Sequence, residues 1–279
     1  MYTYLPIRYE TIMTERAGSV IYLTLNRPEA RNAMNLCMVK EIRNFFVSIR
    51  DNRSIRCVVI SGAGQHFCAG ADIKEMRNPA NQTPQAQSIY GTTLDDMLLA
   101  VQRAPQVTIA AVKGAAMGGG FGLVCVTDIA VADESIKMAL PEVRLGIAPA
   151  VVSPYVIERI GLTRTRQLAL TGRFLDENTA LELGLVQDVA PAGMLDIVVD
   201  DYLKDILRGS PNALAATKEL LFQVAAAPSL DASRAYRINT LNRLRSSEDG
   251  REGMSAFAQK RKPNWVVNPM EMEMAINGR

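Results

Sequence analysis

An α/β fold is the class this sequence predicts, and three observations carry it. Short apolar, β-rich runs alternate with helical spacing through the first half of the chain. Glycines close several of those runs. Beyond about Pro191 the β signal fades and only helices remain. Strands separated by helices need crossover connections, and these build parallel sheets covered by helices.

The elements follow in order. Val20 to Asn26 (VIYLTLN) alternates and is β-rich. Asn35 to Asp51 carries Met38, Ile42, Phe45, Phe46 and Ile49 at helical spacing. Cys57 to Ser61 is a continuous apolar run ending at Gly62, the pattern of a strand buried on both faces. Gln106 to Lys113 and Ile129 to Ala132 repeat it. Later segments 194–207, 212–226, 230–244 and 248–260 read as helices, punctuated by Gly209-Ser210-Pro211 and Ala227-Pro228-Ser229.

Composition narrows the function. A net charge of +2 over 279 residues gives no electrostatic footprint for nucleic acid. Cys37, Cys57, Cys68 and Cys125 form no CxxC pair, so neither a zinc site nor a disulfide is expected. No metal is expected at the site. Reduced thiols and an N-terminus without a signal-peptide pattern point to a cytoplasmic protein. The stretch 115–132 contains four glycines before Asp128 and is a poor membrane span. His66 is the only histidine, so a triad or histidine metal site would have to use it. The chemistry is therefore sought in carboxylates and backbone dipoles.

Four segments are candidates. In Ser61 to Glu75 (SGAGQHFCAGADIKE) Gly70 lets the backbone turn, and Ala71 to Glu75 looks like a helix start with an N–H free for an anion. A plain connecting loop fits this segment equally well. In Lys113 to Gly122 (KGAAMGGGFG) the spacing is wrong for a dinucleotide fingerprint. Three adjacent glycines can instead free one N–H, or merely allow tight packing. Glu142, flanked by Leu140, Pro141, Val143 and Leu145, suits partial burial, a raised pKa and proton transfer; a surface pair with Arg144 is the alternative. The cationic end Phe257 to Lys262 can hold a phosphate or simply end a helix.

Together LNRPEARNAMN, FCAGADIKEM, GAAMGGGFGL, LPEVRLG and AFAQKRKPNW resemble the crotonase, or enoyl-CoA hydratase/isomerase, superfamily across nearly the whole chain. The resemblance implies a crotonase-type ββα spiral over 1–193, a helical oligomerisation region over 194–263 and a peripheral tail over 264–279. It implies a homotrimer or a dimer of trimers acting on an acyl-CoA thioester. Coenzyme A enters as part of the substrate, with no separate cofactor. By motif position the thioester oxygen takes the N–H groups of Ala71 and Gly119. Coenzyme A runs across Arg31, Ala69, Ala71, Asp72, Ile73 and Lys74, with Phe257 and Lys260 reaching it, often from a neighbouring subunit.

Glu142 matches one of two glutamates usual in hydratases of this family; at the other position this chain has Gly122. One carboxyl is enough for a double-bond isomerase. LGIAPAVVSPYV (Leu145 to Val156) is instead similar to hydratases of branched glutaconyl-CoA, methylglutaconyl or isohexenylglutaconyl, several of which keep only the PE glutamate. Such a substrate has a second carboxylate. Arg144, two residues from Glu142, lies on the same side if the segment is extended and is a candidate partner for it; an ion pair with Glu142 or Glu134 is the alternative.

Overall fold

The computed structural model describes residues 9–266. The tail expected over 264–279 falls, past Val266, outside the described residues.

The chain opens with β1 (Ile12–Ala17), β2 (Val20–Leu25), α1 (Leu36–Ile49) and β3 (Cys57–Gly62). There follow α2 (Ile73–Arg77), α3 (Pro84–Gln102), β4 (Val107–Val112), β5 (Ala115–Met117), α4 (Gly119–Cys125), β6 (Ile129–Asp133) and β7 (Lys137–Ala139). After a 3-10 turn at Glu142–Leu145 come α5 (Ser153–Ile160), α6 (Leu162–Thr171), α7 (Glu177–Glu182) and β8 (Asp188–Ala190). Four helices finish the described chain: α8 (Leu195–Ile206), α9 (Pro211–Ala226), α10 (Leu230–Arg245) and α11 (Glu248–Ala258).

Six strands form one sheet in the order β1-β2-β3-β4-β6-β8. Only the β1–β2 hairpin is antiparallel; the remaining pairs are parallel, as the crossovers require. Strands β5 and β7 make a separate parallel ladder. The register explains the apolar runs. Val58 and Ile60 of β3 face a core shared with Ile42, Phe45 and Phe46 of α1, while Cys57 and Val59 face a second core closed by Val199 and Leu203 of α8. With both faces covered, the residues of β3 are buried from Cys57 to Ile60 and the polar alternation disappears.

The apolar positions that predict α1 are all buried, and Asn35 caps the helix by accepting from the Met38 N–H. The long helix α3 is not legible in the sequence. Its first half, PQAQS, is polar, and only Leu94, Met97, Leu98, Val101 and Gln102 of its second half are buried. Strand β1 hides for a related reason: it is an edge strand in which only Ile12 is buried.

Candidate active site

The site is assembled where loops leaving β3 and β5 meet the segment before α1. Asn32 organises the first of these contacts. Its side chain is fully buried; its amide donates to the carbonyls of Ala63 (2.9 Å) and His66 (2.7 Å), and its oxygen accepts from the Arg27 N–H (2.9 Å). Arg31 and Asn32 both hold left-handed backbone (φ 52° and 56°), which is costly for residues with a Cβ. These bonds hold the strained turn. The turn in turn fixes the coenzyme A candidates, because the Ala69 N–H donates to the Arg31 carbonyl at 3.0 Å. Asn32 carries no signal of its own in the sequence.

Ala71 pairs with Met34 in a single parallel bridge. It is not at the start of α2, as the sequence suggests. Asp72 intervenes as the N-cap, accepting from the N–H groups of Lys74 and Glu75. The Asp72 carboxylate is also engaged by Arg27 at 2.8 Å, and its backbone N–H donates to the Met34 carbonyl at 3.1 Å. Burial pushes the Asp72 pKa up, but the Arg27 hydrogen bond and charge and the two capping N–H groups outweigh it and hold the carboxyl below its usual range. Lys74 and Ile73 are exposed on the outer side of this turn.

The second loop is locked to the first. The Met117 N–H donates to the Cys68 carbonyl at 2.9 Å. At Gly120 a Cβ would lie 2.5 Å from that carbonyl oxygen, so only glycine fits there. Gly118 takes φ 48°, ψ −112°, a conformation glycine alone adopts freely, and Gly119 is the first residue of α4. Among the described residues, neither the Ala71 nor the Gly119 N–H donates to a protein carbonyl. For Gly119 the reason is its place in the first helical turn.

Glu142 completes the cluster. A Cβ on Gly118 would lie 2.8 Å from Glu142 Oε1, so the carboxyl rests directly on the glycine that precedes the Gly119 donor. Its Oε2 is buried, and among the described residues no donor reaches it. Burial pushes the pKa above the 4.5 of an ordinary glutamate; a hydrogen bond from its own backbone opposes this in part. At Gly122 a Cβ would lie 2.4 Å from Val152 Cγ1. The position that lacks an acid is thus filled by an apolar side chain.

The extended segment expected around Glu142 is instead a 3-10 turn, so the alternation argument for Arg144 does not apply. Arg144 donates to the Thr171 carbonyl at 3.3 Å and faces the Phe174 ring. Among the described residues it pairs with neither Glu142 nor Glu134. Beside Arg31 and Met117 opens a cavity of about 620 Å³, with Lys113 and Lys137 among its walls. These three cations could hold phosphates, and the sequence does not single out the two lysines. Phe257 and Lys260 lie at the far end of α11, which packs mainly on α10; the Phe257 ring is 88% exposed.

The enoyl-CoA hydratase/isomerase family model matches residues 15–268. The chain is similar to a probable enoyl-CoA hydratase, EchA8, of Mycobacterium bovis, with 35% identity over 92% of this chain and 98% of that one. It is 34% identical to the 2,3-dehydroadipyl-CoA hydratase of Escherichia coli K12, over 91% of this chain and 98% of that one. Among solved structures it resembles Pseudomonas aeruginosa AtuE, with a TM-score of 0.90, 42% identity and coverage of 92% of this chain and all of that one. The glycine turns, the buried glutamate and these relatives agree: the chain belongs to the enoyl-CoA hydratase/isomerase family, the crotonases, and is an enzyme of the hydratase type.

Proposed function

We propose that the protein adds water across, or removes it from, the double bond of a branched glutaconyl-CoA thioester, of the methylglutaconyl or isohexenylglutaconyl kind. The thioester oxygen sits between the N–H groups of Ala71 and Gly119. As the water oxygen bonds to Cβ, the π electrons move through Cα onto the thioester oxygen, giving an enolate. Each N–H placed there is worth roughly 2.7–4 kcal/mol in the transition state. Glu142 takes the proton from the water and returns it to Cα, so a single carboxyl closes the cycle.

The observation that carries this reading is the Glu142 carboxyl, half-buried with one oxygen unpartnered, resting on Gly118 beside the free Gly119 N–H. Arg144 supports the dicarboxylic substrate: it is exposed, next to Glu142 in the turn, and paired with no carboxylate among the described residues. One relative's named substrate, 2,3-dehydroadipyl-CoA, is likewise the thioester of a dicarboxylic acid. Arg31, Ala69, Asp72, Ile73 and Lys74 line the path of the coenzyme A moiety. In a trimer Phe257 and Lys260 reach it from the neighbouring copy.

The test follows conjugated enoyl absorbance with 3-methylglutaconyl-CoA and isohexenylglutaconyl-CoA. Loss of absorbance with formation of the 3-hydroxyacyl product is expected. No water addition to any branched or straight enoyl-CoA overturns the reading. The bulk of Val152 at Gly122 favours one alternative, a double-bond isomerase with Glu142 as sole proton shuttle. A 3-enoyl thioester would then gain conjugated absorbance without hydroxyacyl product.

A further inference from the structure

The proposed donors come from loops about fifty residues apart in sequence, and one buried residue adjoins both. Met34 is fully buried. Its N–H donates to the Gly70 carbonyl at 2.7 Å, and its carbonyl accepts from the Asp72 N–H at 3.1 Å. The Gly70 carbonyl and the Ala71 N–H belong to one planar trans peptide, so they point in opposite directions. Holding the carbonyl toward Met34 therefore aims the Ala71 N–H away from it. On the other side, Met34 Sδ lies 3.4 Å from where a Cβ on Gly119 would stand, so the thioether flanks the second donor residue.

Met34 is itself held from outside. The Tyr90 hydroxyl of α3 donates to the Met34 carbonyl at 3.0 Å. That carbonyl thus accepts two bonds, one from the donor loop and one from a long helix anchored in the core. Gly119 is held separately: the Gly122 N–H donates to the Gly118 carbonyl at 2.9 Å, and this fixes the plane of the 118–119 peptide. The two loops are tied to each other by the Met117 N–H to Cys68 carbonyl bond, and what Met34 adds is the link from the Gly70 carbonyl to α3.

We propose that Met34, clamped by Tyr90, is the positioning residue that aims the Ala71 N–H at the thioester oxygen it shares with the Gly119 N–H. The inference rests on the assignment of those two donors. Oxyanion donors act over a narrow range of distance, and a misplacement of about 1 Å can cost about a hundredfold in rate. Neither Met34 nor Tyr90 needs to touch the substrate to matter.

The experiment combines kinetics with infrared difference spectroscopy of butyryl-CoA, carbon-13 labelled at the thioester carbonyl. This saturated probe has no double bond to hydrate. In the wild type, binding should lower the carbonyl stretching frequency. Tyr90→Phe adds no bulk and should keep the thermal midpoint close to wild type. It should lower kcat about fivefold to tenfold for an enoyl-CoA, with KM within a factor of two. The bound carbonyl should move part of the way back toward its free frequency. Met34→Leu, nearly equal in volume, should retain more kcat than Met34→Ala. If the wild-type carbonyl does not shift on binding, the donor assignment falls. If it shifts in the wild type and equally in Tyr90→Phe, the clamp is overturned whatever happens to kcat.

Discussion

Glu142 combines burial with an unpartnered oxygen, and both features bear on how it titrates. Its pKa is raised on folding, so the ionised form is disfavoured in the native state. Ionised Glu142 therefore costs stability, and that cost grows as pH rises through the folded pKa. Glu142→Gln should unfold at the same temperature as wild type or slightly higher at pH 7, with the difference closing below about pH 4.5. Its activity should fall by about two to four orders of magnitude. Wild-type hydration should also lose rate on the acid side at a pH above the ordinary glutamate range. Retained activity in Glu142→Gln would show that another group moves the proton. Gly122 makes a second prediction. A Cβ there meets Val152 Cγ1 at 2.4 Å, so Gly122→Ala should cost about 1–3 kcal/mol by overpacking. Adding Val152→Ala should recover much of that loss, and a double-mutant cycle on denaturant midpoints would read the coupling.

The elements carrying the site were unequally legible. The glycines at 70 and 118–120 mark turns from sequence alone, because few other residues can follow those backbone paths. Glu142 stands out as a carboxylate among apolar neighbours. Asn32, Tyr90 and Val152 did not stand out, since their roles depend on partners 31, 56 and 30 positions away. The Ala71 loop shows the limit most clearly. A helix start was expected, yet Asp72 takes the cap and the donor lies just before it. Its aim comes from a strand-like bridge to Met34 and not from a helix dipole. The cap also sets a pH window. The Asp72 carboxyl is held below 3.8, so its contribution is present above that value and lost as pH falls through its lowered folded pKa. Asp72→Asn keeps an acceptor for the cap but loses the ion pair with Arg27. It should be less stable than wild type by about 1–3 kcal/mol at neutral pH and converge with it as pH falls below the lowered pKa of Asp72. Thermal unfolding across that range would test this.

At the level of the molecule, the parallel sheet was readable because both of its faces are covered and its strands become apolar runs. The C-terminal helices were readable from their caps: Ser210, Ser229 and Ser247 each accept from an N–H three residues on. Where those helices dock was not readable. Helix α9 is tied to the sheet through Lys218, whose ammonium meets Asp128 at 2.7 Å, and Asp128 in turn accepts from Thr108. The outer faces of α9 to α11 leave Leu221, Leu230, Leu241 and Phe257 exposed. A second copy covering them fits the expected trimer. Sedimentation should give a trimer or hexamer. Phe257→Ser should raise KM for the thioester several-fold while leaving the protomer's circular dichroism unchanged; an unaltered KM would remove Phe257 from the coenzyme A site.

The packing of Val152 onto Gly122 has a consequence for how this enzyme can change. A lineage that gains from a second acid cannot reach it by one substitution at position 122, because the side chain has nowhere to go until residue 152 shrinks. Shrinking residue 152 first opens a hole under α4 and is penalised by itself. The two positions are therefore expected to couple, each single change costing stability that the pair recovers. Directed evolution toward a two-acid hydratase should therefore start from libraries that vary both positions together.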